Sequence, residues 1–423
     1  MIGASLTWPG FPDGNDRPAD VDVSVETQRL AEGNLDHRVN LSANHQGSPV
    51  WSKEITFGVD APFAVPDLAN DDPFLIASLF PVMGLGGTLR FHGKVSRTLL
   101  RNVLDYQSAW FRAAPEFCTP FTLEVDEIDD ETRHALEPRP KAILAFTGGL
   151  DSLLALCRNV SGDAEPAGHD IGATMMIHGM GTQRSSADGP NALTTDLRRI
   201  SESWDAPMAV VDTNIAEVVG LDDISHGTWL AACLSLFAGR FDIGLLGSSV
   251  PYFWDTWELF GSHPLLDPLL SGAEMVIRND EGLYERTDKA ALLCRYPTAL
   301  EDLRVCIHIS GPDRNCCRCE KCLRTMLCFV AAGKPIPPAF PNGLQLSDIG
   351  IGLGQQTGLD WAPVILNSAR LYGTDDEEAM RVLRRRARAK WAKVKAKALT
   401  RLVKTGRSTH RWHVIDDVLS KKK

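Results

Sequence analysis

The sequence is poor in the features that would place it in a membrane or outside the cell. No stretch of the 423-residue chain approaches the ~20 apolar residues that a spanning helix needs, and Arg240 interrupts the best candidate. A transmembrane segment is therefore not expected. The opening residues MIGASLTWPGFPDG lack a basic region followed by an apolar core, so they do not read as a signal peptide, and a cytoplasmic location is expected. No internal repeat occurs, which argues against a repeat architecture. A disulfide framework is also excluded. Ten cysteines would suit one in a short secreted chain, but this chain is long and 44% apolar, enough for a core of its own.

What is present is organised. The length suggests two or three domains. The net charge of −10 conceals a split: residues 381–423 carry 16 Lys and Arg against two acids, while the first 380 residues carry 28 basic and 52 acidic side chains. An acidic body is a poor general surface for nucleic acid, and a basic tail suits RNA, an anionic membrane, a protein partner or the body itself. A homo-oligomer is compatible with this composition.

Residues 1–139 are expected to form a smaller α+β domain without a catalytic constellation. Alternating stretches from Val21, Lys53, Thr88 and Phe121 read as strands, and Ser96 to Phe111 reads as a helix. Gly84-Leu85-Gly86-Gly87 reads as a plain turn, because no βαβ pattern surrounds it. After the Glu137-Pro138-Arg139-Pro140 linker the pattern changes. Apolar runs at 142–146, 173–177, 208–212 and 242–246 alternate with helical stretches at Asp151–Asn159, Thr194–Trp204 and Gly227–Gly239. This alternation predicts a doubly wound parallel sheet over residues 140–335, with a ligand crevice beyond the carboxyl ends of its strands. Residues 336–423 are expected to be a helical extension. It holds a short helix near Trp361–Tyr372 and a basic amphipathic helix from about Asp375, with Thr374 and Glu377 as a capping box.

Two motifs carry chemistry. Phe146-Thr147-Gly148-Gly149-Leu150-Asp151-Ser152 lies between a predicted strand and helix. A helix start offers unpaired N–H groups and partial positive charge, two glycines let the backbone approach an anion, and the Thr147 and Ser152 hydroxyls add donors. It lacks the Gly-Lys-Ser/Thr of a Walker loop and the spaced glycines of a dinucleotide fingerprint. A tight Gly-Gly turn with Asp151 starting the helix is the plainer alternative. In the second motif, Cys316, Cys319 and Cys322 recur every three residues, with Cys306 ten residues upstream. Four thiolates at short spacing suit tetrahedral zinc, with Arg318, Lys321 and Arg324 offsetting the charge; a redox pair, an iron–sulfur cluster and metal-free thiols stay open. Such a zinc site is coordinatively full and should be structural.

The first motif resembles the Ser-Gly-Gly-x-Asp-Ser signature of PP-loop ATP pyrophosphatases, with Thr147 in place of the first serine. The resemblance implies an adenine nucleotide alpha hydrolase-like fold. It implies ATP bound by its pyrophosphate portion, Mg2+ near Asp151, attack of a substrate oxygen on the α-phosphate, and displacement of AMP by a nucleophile. Asp151 and Ser152 are then the catalytic candidates. The adenine would lie near Met176 to His178, where His178-Gly179 also suits an ordinary turn. Gly247-Ser248-Ser249 would line the same crevice or form a turn. With the cysteines added, residues 141–333 resemble the 7-cyano-7-deazaguanine synthases of queuosine biosynthesis. Those usually show Cys-Gly-x-Cys-x-x-Cys; here Cys317 stands at the glycine position, and the spacing favours Cys316 as the ligand. Thr287-Asp288-Lys289 loosely matches a Thr-Lys segment before a helix in that family. Lys289 is thus a candidate phosphate contact or an exposed lysine.

Between the motifs, Tyr252, Phe253, Trp254 and Trp257 offer faces for a planar, base-like substrate, and Asp255, Glu258, His263 and Asp267 offer polar groups. An aromatic packing cluster is the alternative. Three functions are compatible with these residues. The leading one is ATP-dependent adenylation of a carboxylate or amide for a nitrogen nucleophile. The others are sulfur transfer to RNA through Cys294 or Cys317, and a non-catalytic ATP-binding scaffold.

Overall fold

The computed structural model describes residues 21–30, 35–45, 47–115, 117–130, 141–180, 192–220, 222–252, 260–306, 314–352 and 361–405. They form two compact units. One holds the residues up to Thr147 together with Asp151–Leu283; the other holds Gly148–Leu150 and the residues from Tyr284 onward. These divisions differ from the boundaries expected near residues 139 and 335.

The first unit is built on a single sheet. Its strands are β1 (Val21–Leu30), β2 (Leu35–His45), β3 (Ser48–Asp60), β4 (Gly87–Ser96), β5 (Phe121–Asp129), β6 (Lys141–Ala145), β7 (Asp170–His178), β8 (Met208–Thr213), β9 (Ile243–Gly247) and β10 (Val276–Asp280). Their order is β10-β9-β6-β7-β8-β3-β2-β1-β4-β5. From β10 to β8 every pairing is parallel, as the alternating pattern predicts. The short apolar runs are buried because helices α3 (Leu150–Val160), α4 (Ala192–Glu202), α5 (Ile215–Val219) and α6 (Asp222–Ser235) connect these strands. Strands are added outward on one side of β6 as β7 and β8, then on the other as β9 and β10. The reversal between β6 and β9 is the switch point at which such sheets open a crevice.

The N-terminal strands do not form the separate α+β domain expected at residues 1–139. β3 pairs antiparallel with β8, from Phe57 opposite Thr213 to Asp60 opposite Val210, and so extends the same sheet. The Asn214 side chain continues the junction. Its Oδ1 accepts the Thr56 N–H at 2.8 Å, and its Nδ2 donates to the Glu54 carbonyl at 2.9 Å. Helix α1 (Asp72–Leu85) is buried along its whole length. It has no polar face, which is why no helical periodicity marks it. It ends at Gly86 and Gly87, both with positive φ; the Gly84–Gly87 stretch expected as a plain turn is instead the last two residues of α1, the single connecting Gly86 and the first residue of β4. Helix α2 (Arg97–Ala113) starts at Ser96, whose Oγ accepts the Leu99 N–H. At the sheet edge, exposed acids on β5 face side chains of β4: Glu124 lies by Arg90, Asp126 by His92 and Glu127 by Lys94, while the buried Asp129 also pairs with Lys94.

In the second unit, α9 (Glu320–Ala331) packs against α7 (Arg286–Leu293), α10 (Ile349–Gly352), α11 (Trp361–Tyr372) and α12 (Glu378–Thr405), and α8 (Pro297–Asp302) packs on α7. Met380, Leu383, Ala387 and Trp391 of α12 are buried, as their spacing predicts. The capping box is not formed, and α12 begins at Glu378 rather than near Asp375. The Thr374 hydroxyl instead donates to the Ala331 carbonyl at 2.6 Å, satisfying an acceptor left open at the end of α9. No described helix is long and apolar enough to cross a membrane.

One buried acid of the first unit gives a pH test. Asp72 accepts the Ser96 N–H at 2.8 Å and the Ser96 hydroxyl at 2.6 Å, and a Cβ on Gly272 would lie 2.1 Å from its Oδ2. Burial pushes its pKa from 3.8 to about 6. The folded state therefore holds this proton more tightly than the unfolded state. The resulting stability is complete below 3.8 and is lost as pH rises through about 6. Thermal unfolding followed across that window should show a weaker loss of stability with rising pH in Asp72→Asn than in the parent. Parallel curves for the two proteins would rule out this role for Asp72.

Candidate functional site

The expected phosphate loop lies at the switch point of the first unit's sheet. β6 ends at Ala145, and α3 begins at Leu150. Gly148 has φ of 68°, a left-handed conformation that side chains disfavour, so a glycine is needed there. Ser152 is buried, and its Oγ accepts the Thr147 N–H at 3.2 Å and lies 3.3 Å from Thr147 Oγ1. This side chain closes the turn that brings Thr147 back to the first turn of α3. Asp151, also in that first turn, is partly exposed. From across the switch point, Gly247 at the end of β9 comes so close that a Cβ on it would lie 2.8 Å from both Asp151 C and Ser152 N. The backbone start of α3 and the end of β9 thus meet without a side chain between them.

The other nominated residues do not all gather there. His178, at the end of β7, is buried, with Nε2 2.7 Å from Thr194 Oγ1 and Nδ1 3.9 Å from Asp212. Burial lowers its pKa, which favours the neutral ring. Ser248 is fully buried and spends its hydroxyl on the Val250 carbonyl at 2.5 Å, while Ser249 beside it is partly exposed. Asp267 receives bonds from the Ser262 hydroxyl at 2.7 Å, the His263 N–H at 3.1 Å and the Asn279 amide. Burial raises its pKa to about 6, so His263 and Asp267 hold a loop together through backbone and side-chain bonds. Phe253, Trp254, Asp255, Trp257 and Glu258 lie outside the described residues.

In the second unit, Thr287-Asp288-Lys289 does not precede a helix. It lies inside α7, whose capping box pairs Glu285 with Asp288. Lys289 is fully buried rather than exposed. Sequence spacing alone does not reveal which face of so short a helix is covered.

The cysteines meet in that same unit. The sulfurs of Cys306, Cys316, Cys319 and Cys322 all lie within 4.8 Å of one another. Cys316 to Cys322 and Cys306 to Cys319 are each 3.9 Å. A tetrahedron with metal–sulfur bonds of about 2.3 Å has edges of about 3.8 Å, so the four thiols fit zinc. Cys319 caps α9, and Cys322 lies in its first turn. Cys316 Sγ accepts the N–H groups of Arg318 at 3.5 Å and Cys319 at 3.3 Å. Hydrogen bonds, chiefly from Cys322, pull the Cys319 pKa down to about 5. Cys317 is outside the cluster. Its φ of 60° turns the chain between two cysteines of the cluster, the conformation in which a glycine would be favoured. Two of the arginines nominated to balance the metal's charge also face acids, Arg324 with Glu320 at 3.3 Å and Arg318 with Asp348 at 3.8 Å.

Two residues of this unit escaped the sequence reading. Asn315 is buried beside Cys316, and its amide is bonded to Leu303, Val305, Cys306 and Ala339. Arg304 is buried, and its backbone N–H donates to the Gly148 carbonyl at 2.9 Å. Backbone and amide contacts of this kind leave no mark in residue spacing.

Two measurements test these arrangements. Metal analysis of the purified chain should find about one zinc per chain, and Cys306→Ser should weaken retention against a chelator by at least ~10-fold. Equal retention would remove Cys306 from the ligand set. Gly247→Ala should displace the start of α3, seen as faster amide exchange there, whereas unchanged exchange would mean that the loop tolerates a side chain at that point. Compared with protein-family models, curated proteins and solved structures, the chain matches none.

Proposed function

We propose that the chain is an ATP-dependent adenylating enzyme resembling the 7-cyano-7-deazaguanine synthases. The observation that carries this reading is the Thr147–Ser152 turn, with its left-handed Gly148, at the switch point of the parallel sheet. In this reading the N–H groups at the start of α3 and the Thr147 and Ser152 hydroxyls bind the pyrophosphate portion of ATP. Asp151 is the residue that would hold Mg2+, which would supply charge neutralisation for the leaving pyrophosphate. A carboxylate or amide oxygen attacks the α-phosphorus, and the bond to pyrophosphate breaks. A nitrogen nucleophile then forms a bond to the activated carbon, and AMP leaves. Zinc on the four thiolates is structural, because all its positions are filled by protein.

Sulfur transfer is disfavoured by the thiols it would use. Burial raises the pKa of both Cys294 and Cys317, and a sulfur carrier needs a thiolate. For a macromolecular partner, the described part of α12 offers charge. Its apolar residues face inward, while Arg381, Arg385, Arg386 and Arg388 are exposed.

The test is pyrophosphate release from Mg-ATP in the presence of a cell metabolite extract. Extract-dependent release is expected, and Asp151→Ala and Ser152→Ala should each lower it by on the order of 10²-fold or more. Full activity in either variant would sink that residue's role. ATP bound without turnover on any extract would move the reading to a nucleotide-binding scaffold.

A further inference from the structure

The second unit contains a short path from the cysteine cluster to Gly148. Asn315 immediately precedes the ligand Cys316. Its Oδ1 accepts the N–H groups of both Val305, at 2.9 Å, and the ligand Cys306, at 3.2 Å. Its Nδ2 donates to the Leu303 carbonyl at 2.8 Å and the Ala339 carbonyl at 2.9 Å. The side chain has two donors and two acceptor positions, and each is used. In an extended strand successive N–H groups point to opposite sides, so two that converge on one oxygen mark a departure from extended backbone. The Asn315 amide holds that local conformation at the residue that carries the Cys306 thiol. The residue one step earlier, Arg304, donates its N–H to the Gly148 carbonyl at 2.9 Å. Three consecutive amides therefore have assigned acceptors: one in the glycine turn and two on the residue next to a metal ligand.

We infer that Asn315 is a positioning residue that couples the metal centre to the glycine turn. Cys306 and Cys316 would share one metal, and the Asn315 amide joins residues 303–306 to the residue before Cys316. Residues 303–306 so held present the Arg304 N–H to the Gly148 carbonyl. Loss of either the metal or the amide frees the segment and with it the clamp on Gly148. A metal that touches no substrate thereby acts on the loop assigned above to ATP. The link to ATP rests on that reading of function, whereas the link from metal to Gly148 does not.

Hydrogen exchange on the full chain separates the two. Stripping the metal with a chelator, verified by titration of four additional thiols, should speed exchange at the Arg304, Val305 and Cys306 amides by at least ~10-fold while the β6–β9 amides keep their protection. With metal restored to saturation, Asn315→Ala should speed the same three amides and weaken metal retention by ~10–100-fold. Its cobalt-substituted form should lose four-thiolate character and resemble that of Cys306→Ser, which a loss of general stability would not produce. Unchanged exchange at Arg304 after stripping overturns the coupling, and this experiment needs no variant to fold. A four-thiolate cobalt spectrum in Asn315→Ala overturns the positioning role. ATP affinity, measured on the same samples, should fall with Arg304 protection. If the parent binds no ATP while the exchange results hold, the functional reading fails and the coupling stands.

Discussion

The candidate site depends on backbone meeting backbone. Where β9 ends, Gly247 leaves no space for a side chain against Asp151 and Ser152. Where β6 ends, Gly148 turns through a conformation that other residues resist. Both constraints serve one geometric end. A helix start has to lie close behind a strand end for its N–H groups to face the crevice, and any Cβ in the way would push it out. The Ser152 hydroxyl then closes the turn on the Thr147 N–H. Side-chain chemistry in this loop is secondary to the shape that the glycines permit.

The same logic separates what was legible in the sequence from what was not. Strands β6 to β9 could be read because parallel strands covered on both faces become short apolar runs between helices. The cysteine cluster could be read because the first turn of α9 and the turn before it place thiols three residues apart, and Cys316 rather than Cys317 joins the cluster. Helix α1 could not be read as amphipathic, since it is buried on every side. β2 alternates buried His37, Val39, Leu41 and Ala43, the period of two of a strand with one covered face. Lys289 illustrates the opposite failure. Lysine is normally an exposed residue, and only the packing of α7 reveals that this one is covered.

Long-range pairing explains the largest departure from expectation. Residues 1–139 carry their own strands, turns and helices, which is what a separate domain looks like along a chain. The β3–β8 ladder joins only a few residue pairs, yet it turns two strand sets into one sheet. Asn214 adds side-chain bonds that mimic another rung. Such a junction depends on residues more than 150 positions apart, such as Thr56 and Asn214, and no local pattern announces it.

A sheet that can be extended so readily at β8 also has to stop growing somewhere. At β5, the outermost strand among the described residues, lie the exposed Glu124, Asp126 and Glu127, while Arg90, His92 and Lys94, which pair with them, lie one strand further in. Each pair is solvent-exposed or nearly so and adds little to folding. Its arrangement matters at the boundary. A second copy of β5 approaching this edge would bring carboxylates against carboxylates before any backbone hydrogen bond could form. The ladder therefore acts as a terminator for strand recruitment, and the protein keeps a long sheet without offering that end of it as a template.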